Sequence, residues 1–190
     1  MAIKKVAVLG GVSRLQDDIR YTSEARRLGE LLAGRCIHVV CSGSQSGLIG
    51  ELIEGVAAGS GSLTAIVLDN SDEWSNLHAY VSVASYVNSI GARKASMVTA
   101  VDGFIALPGG IGTHDEIFSL LAERKVGVHS RPLVMLNVAG FFDPIAALTE
   151  HMVRTGFLNA RHLGGVLLES NADNALAALE GRWSAARTTP

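Results

Sequence analysis

The chain has 190 residues, 48% of them hydrophobic and 18% charged, with a formal net charge of −2. So apolar and weakly charged a composition excludes a disordered chain, and the length suits one domain with a substantial core. The near-neutral balance excludes the basic field that a nucleic-acid backbone demands, so no nucleic-acid partner is expected.

Met1-Ala2-Ile3-Lys4-Lys5 leads into an apolar stretch that stops at Gly10-Gly11. That stretch is too short to span a membrane and lacks the small-residue cleavage site of a secretory leader. No later run reaches the roughly 18 uninterrupted apolar residues of a span, so a cytoplasmic protein with no membrane partner is expected. Cys36 and Cys41 share one apolar run and would point to opposite faces of a strand. Two buried, reduced thiols are expected, rather than a disulfide or part of a zinc site.

In chain order, Ile3–Leu9 reads as a strand and Ile19–Gly34 as a helix, with Ala25, Leu28, Leu31 and Leu32 on one stripe. Cys36–Cys41 is a second strand, followed by a Gly/Ser loop and a helix over Gly47–Ala58. Leu63–Leu68 is the third strand, ending at Asp69-Asn70. A polar loop, Ser71–Asn76, leads to a weak apolar segment at Tyr80–Val83. Helical spacing then runs through Tyr86, Ile90, Lys94, Met97 and Val101. Asp102–Leu107 is a strand, followed by Pro108-Gly109-Gly110-Ile111-Gly112-Thr113 and a helix to Lys125. Pro132–Asn137 is a strand, Asp143-Pro144 starts a helix, and Gly164–Leu168 with Asn171–Gly181 form a last strand–helix pair. Strands apolar on both faces and alternating with helices predict an α/β fold, a single Rossmann-like doubly wound parallel sheet with helices on both faces. The domain is expected over residues 1–183, with a loose tail over 184–190.

Such sheets bind ligands beyond the carboxyl ends of their strands, which directs attention to the strand-to-helix loops. The sharpest is Leu107–Glu116, where Gly109, Gly110 and Gly112 allow close backbone approach and positive φ. The helix start supplies free N–H groups for an anion, and Thr113 adds a hydroxyl. No Gly-Lys-Ser/Thr follows, so a nucleoside triphosphate is not implied. Thr113 and Glu116 also fit a capping box, and the glycines a tight turn. A second loop, Ser42-Gly43-Ser44-Gln45-Ser46-Gly47, lacks the dinucleotide fingerprint, although Asp69 falls where a ribose-binding acid would. Gly10-Gly11-Val12-Ser13-Arg14 is a third small-residue turn with a cation beside it. Arg93-Lys94 stands nearly alone in an uncharged stretch; such a pair also suits a solvated helix face.

An anion at Gly109–Thr113 with Glu116 one helical turn away suits a nucleoside 5′-monophosphate. The carboxylate repels phosphate but stabilises the oxocarbenium-like charge that develops when an N-glycosidic bond breaks. Arg93 would orient Glu116 and hold it ionised. Pro108-Gly109-Gly110-Ile111-Gly112-Thr113-His114-Asp115-Glu116 and the upstream Arg93-Lys94, with Gly47-Leu48-Ile49-Gly50, resemble the LOG family. These are cytokinin riboside 5′-monophosphate phosphoribohydrolases, often mislabelled lysine decarboxylases. The resemblance covers Val6 to Leu158. It implies a Rossmann-like homodimer without metal or organic cofactor, Arg93 and Glu116 as the catalytic pair, and phosphate on Gly109, Gly110, Gly112 and Thr113. No Ser-x-His-Lys pyridoxal site is found.

The chain departs from the family pattern at Ile90-Gly91-Ala92, Ser42-Gly43-Ser44, His114-Asp115 and Gly10–Ser13. These departures leave the reaction type better defined than the base. Further candidates for substrate contact are Ser13, Gly43, Ser44, Lys94 and His114, with Trp74 and His78 as candidate covers. The histidines show no metal-ligand spacing. The helix around Met97 and the segment Phe118–Leu121 are candidate dimer-interface material. Two other readings remain. One is a non-catalytic carrier of a phosphorylated ligand such as molybdenum cofactor, and the other a nucleotide hydrolase of a specialised pathway acting on another base. An NAD(P) oxidoreductase is weakest.

Overall fold

The computed structural model describes residues 2–13, 18–69 and 71–188. Among the described residues, seven strands alternate with seven α-helices: β1 (Lys5–Leu9), α1 (Ile19–Gly34), β2 (His38–Cys41), α2 (Gly47–Ala58), β3 (Leu63–Leu68), α3 (Ser71–Ser75), β4 (Ala84–Val87), α4 (Ile90–Ala100), β5 (Gly103–Ala106), α5 (Ile111–Lys125), β6 (Leu133–Leu136), α6 (Asp143–Arg154), β7 (Val166–Glu169) and α7 (Ala172–Thr188). All strands are parallel, in the order β4-β3-β2-β1-β5-β6-β7. This is the expected doubly wound Rossmann-like α/β fold.

Alternation along each strand sends side chains to two separate cores. Val6 and Val8 of β1 join Leu28, Leu52, Ile53 and Leu176 under α1, α2 and α7. Ala7 and Leu9 join Met97, Ile117, Leu120 and Phe142 under α4, α5 and α6. The strand order reverses direction between β1 and β5, so their following loops diverge to opposite faces and open a crevice.

Several expectations need correction. The helical spacing from Tyr86 to Val101 is split: Ala84–Val87 forms an edge strand paired to Ala65–Leu68, and α4 begins only at Ile90. Pairing to β3 outweighs the helical periodicity, and Ser89 caps α4 by accepting from the Ala92 N–H at 3.1 Å. The expected polar loop at 71–76 contains the short helix α3. Cys36 is not a buried strand residue; it is exposed, with φ +53, in the turn that closes α1, whereas Cys41 is buried. The chain after Trp183 is not loose through 188, because α7 continues to Thr188 over residues that include the good helix formers Ala185 and Ala186. Met97 and Leu120 are 3% and 6% exposed and face the sheet, so they are core rather than interface. No helix among the described residues is long and apolar enough to cross a membrane.

Candidate active site

A cleft of about 510 Å³ opens over the carboxyl ends of β1 and β5. Its floor is built by two loops and the start of α2: the Gly11 N–H donates to the Pro108 carbonyl at 3.0 Å, and the Leu48 N–H donates to the Gly11 carbonyl at 2.8 Å. Gly47, at φ +65, lies so close to Gly11 and Val12 that a side chain there would strike their backbone.

The helix α5 begins at Ile111 with Gly110 as its N-cap and no side-chain cap. The capping-box alternative therefore fails, because Thr113 already lies inside the helix and cannot serve as its N-cap. This start leaves the N–H groups of Ile111, Gly112 and Thr113 without intrahelical partners at the cleft. None of the three motif glycines has positive φ, contrary to expectation. A Cβ at Gly109 would collide with Thr113 Oγ1 and lie 2.7 Å from the Gly11 nitrogen, so packing demands that glycine. Cβ atoms at Gly110 and Gly112 would meet nothing within 4 Å. The protein interior gives no reason for glycine at these two positions; what they provide is bare backbone beside the helix start.

Glu116 stands on the second turn of α5, about 7.5 Å along the axis from Ile111. Its Oε1 lies 4.0 Å from Arg93 Nε, and the two side chains are 15% and 16% exposed. Arg93 Nε is buried and makes no hydrogen bond, whereas Arg93 Nη1 donates to Glu73 Oε1 at 2.9 Å. Burial pushes the Glu116 carboxyl up to about 7; Arg93 pulls it down, and the neighbouring Asp115 charge pushes it further up. Arg93 thus favours the ionised form of Glu116, as expected, but burial outweighs it.

Arg93, Glu116, Gly109, Gly110, Gly112 and Thr113 all line this cleft, and so do Ser13 and Ser44. Four other candidates do not. Gly43 packs on Ala65 at φ +77 and accepts from the His78 N–H at 2.9 Å. Lys94 Nζ turns to Asp115 at 2.9 Å and Ser119 at 2.9 Å. His114 Nδ1 is bound to the Gly110 carbonyl at 2.8 Å, with its ring over Phe141 and Phe142. Asp69 lies outside the cleft, which removes the ribose acid that an NAD(P) site would need. Trp74 packs edge-on against Tyr86, and His78 meets Glu54 at 3.0 Å, so neither covers the cleft. Arg14 lies outside the described residues.

Sequence reasoning missed Glu73 and Asn76, which reach the cleft from the segment expected to be only a polar loop. Asn76 is tied to the second loop, its Nδ2 donating to Ser44 Oγ at 2.9 Å and its carbonyl accepting from Gln45 N–H at 2.8 Å. It also missed the aromatic wall of Tyr21 and Phe141, whose rings meet edge-on at 6.2 Å. Among the described residues, no three His, Cys, Asp or Glu side chains are gathered to hold a metal ion.

The fold and cleft define a Rossmann-like protein with an uncapped helix start opening on the cleft and an adjacent Arg–Glu pair. Residues 49–179 match the family described as "Possible lysine decarboxylase". A probable cytokinin riboside 5′-monophosphate phosphoribohydrolase of rice, Oryza sativa subsp. japonica, is 33% identical over 75% of this chain and 63% of its own length. A cytokinin riboside 5′-monophosphate phosphoribohydrolase of Arabidopsis thaliana is 30% identical over 84% of this chain and 76% of its own. The chain belongs to this family, the LOG family. It spans a little under two thirds of the first rice relatives' length.

Among solved structures, the molybdenum cofactor binding protein of Rippkaea orientalis superposes with a TM-score of 0.72 at 19% identity. That alignment covers 95% of this chain and 98% of that one. The molybdenum cofactor carrier protein of Chlamydomonas reinhardtii gives 0.72 at 16% identity over 95% and 98%. At these identities the likeness is one of fold.

Proposed function

We propose that the protein hydrolyses the N-glycosidic bond of a nucleoside 5′-monophosphate, of AMP or cytokinin riboside monophosphate type, to free base and ribose 5-phosphate. The observation that carries this reading is the placement of Arg93 and Glu116 beside bare amides in one cleft. The phosphate sits on the N–H groups at the start of α5, against Gly110 and Gly112, which fixes the ribose near the second turn. As the bond from C1′ to the base nitrogen breaks, its electron pair leaves with the base and positive charge grows on the ribose. Ionised Glu116, itself largely buried, stabilises that charge. Water then attacks C1′, gives its proton to Glu116, and the proton passes to the departing base. The reaction needs no oxidant, reductant or metal to balance.

Named relatives support the family-level chemistry, and the surviving Arg93–Glu116 pair favours an enzyme over a carrier. The reading includes a homodimer, supported by Ile111, 91% exposed at the cleft mouth, and Ile90, 52% exposed on α4. Sedimentation equilibrium tests it, and a monomer at all concentrations rejects it.

The decisive experiment incubates the protein with AMP, CMP, GMP, UMP and an N6-prenylated AMP, with Glu116→Gln in parallel. Free base and ribose 5-phosphate are resolved by chromatography. Release by the wild type and not by the variant supports the hydrolase, and the preferred base identifies the substrate. Ribose 5-phosphate binding without release from any nucleotide supports a carrier instead.

A further inference from the structure

We infer that Glu73 is a positioning residue that divides the Arg93 guanidinium between two carboxylates and prevents Glu116 from closing a full ion pair. The inference rests on the hydrolase reading for its catalytic meaning, but not for its geometry. An arginine fork that engages a carboxylate fully places its nitrogens roughly 2.7–2.9 Å from the oxygens. Arg93 achieves that distance with Glu73, Nη1 to Oε1 at 2.9 Å, and leaves Nε at 4.0 Å from Glu116 Oε1. Nε is buried there with no hydrogen bond, so the guanidinium is held short of Glu116.

Glu73 can hold it because Glu73 is itself anchored. Its Oε2 accepts from the Leu68 N–H at 2.8 Å, at the carboxyl end of β3. The same short segment is fastened again by Asn76 to Ser44 and Gln45. Arg93 is thus drawn toward the sheet edge by a carboxylate bonded to the backbone.

The charged groups around Glu116 are Arg93 and Lys94 from α4, Glu73 from α3 and Asp115 on its own helix. Lys94 is committed to Asp115 at 2.9 Å and Arg93 to Glu73 at 2.9 Å. Each nearby cation already has another carboxylate, and Glu116 receives only the remainder of their field. That arrangement leaves Glu116 able to take a proton from water near neutral pH, which a closed ion pair would suppress.

Glu73→Gln separates charge from scaffold, since the amide oxygen still accepts from Leu68 N–H. The test titrates the Glu116 carboxyl by carbon-13 NMR, assigning its signal by loss in Glu116→Gln, in wild type, Glu73→Gln and Glu73→Ala. Both Glu73 variants are expected to lower the Glu116 midpoint by about one pH unit or more, as Arg93 becomes free to pair with it. The acid limb of kcat/KM should move down by the same amount. An unchanged Glu116 midpoint in either folded variant overturns the inference. The titration needs no turnover, so an inactive wild type would reject the hydrolase reading while leaving Glu73 to be judged by the midpoint alone.

Discussion

On one face of the sheet, α1 and α2 meet backbone to backbone. A Cβ at Gly29 would collide with the Leu52 carbonyl, and one at Gly55 with the Arg26 carbonyl. Each helix buries a broad apolar stripe there, and Arg26 crosses between them to Glu51 at 2.8 Å. On the other face, among the described residues, α4 buries only Met97 and Val98, and α5 only Thr113, Ile117 and Leu120. That second pair carries Arg93 and Glu116. Tight packing and polar chemistry are thus segregated by the sheet. A cleft with desolvated charges is costly, and the close-packed face supplies compensating stability.

This separation can be broken from either side. The largest effect is expected from Glu116→Gln, which should lower kcat by at least about 10³-fold, with Tm unchanged or higher. A capping or packing role would leave turnover intact. Arg93→Ala should cost about 10²-fold or more in kcat/KM, and wild-type turnover would remove Arg93 from the catalytic pair.

Gly55→Ala belongs to the opposite face. It should destabilise by about 2–3 kcal/mol, a Tm fall of roughly 5–10 °C, while kcat at 25 °C stays within about twofold. Equal losses of both would show that the two faces are coupled. Gly110→Val enters open space, so Tm should hold while KM rises about tenfold or more through loss of the phosphate seat; unchanged binding of ribose 5-phosphate would contradict that placement.

The smallest effect is on stability as a function of pH. The Glu116 carboxyl lies at about 7 in the folded protein against 4.5 ordinarily, so the folded state holds the extra proton in that window. Wild type should therefore lose stability relative to Glu116→Gln as pH rises from about 4.5 to 7, and level off above. The difference should reach on the order of 1–3 kcal/mol at pH 8. A denaturant series at pH 4.5 and 8 reads it directly, and a constant difference would refute the raised carboxyl.

Periodicity located the close-packed face well. Ile19–Gly34 and Gly47–Ala58 were legible to the residue because apolar stripes and small residues mark both helices throughout. Near the cleft, the motif identified Arg93, Glu116 and the glycine loop, but local structure there depends on tertiary contacts. Tyr86 belongs to an edge strand because β3 offers it a partner, although Asn88-Ser89 could have signalled the break before α4. The helix α5 starts at Ile111, three residues before the start that a Thr113 cap would set, because Gly110 takes the N-cap position. Glu73 was invisible as a functional group: its spacing to Arg93 repeats no motif, and the fold of β3 into α3 brings them together. His114 and Lys94 looked available from sequence, and only the structure shows their hydrogen bonds to Gly110, Asp115 and Ser119.

The two cysteines divide in a practical way. Cys41 is buried at the cleft end of β2, with burial pushing its thiol up to about 11, so it is protonated and shielded from alkylating reagents. Cys36 is exposed in the turn that precedes the same strand. A maleimide dye or spin label will therefore attach at Cys36 first, in the native sequence and away from Arg93 and Glu116. The protein carries its own site-selective handle for fluorescence or distance measurements, with no engineered cysteine required.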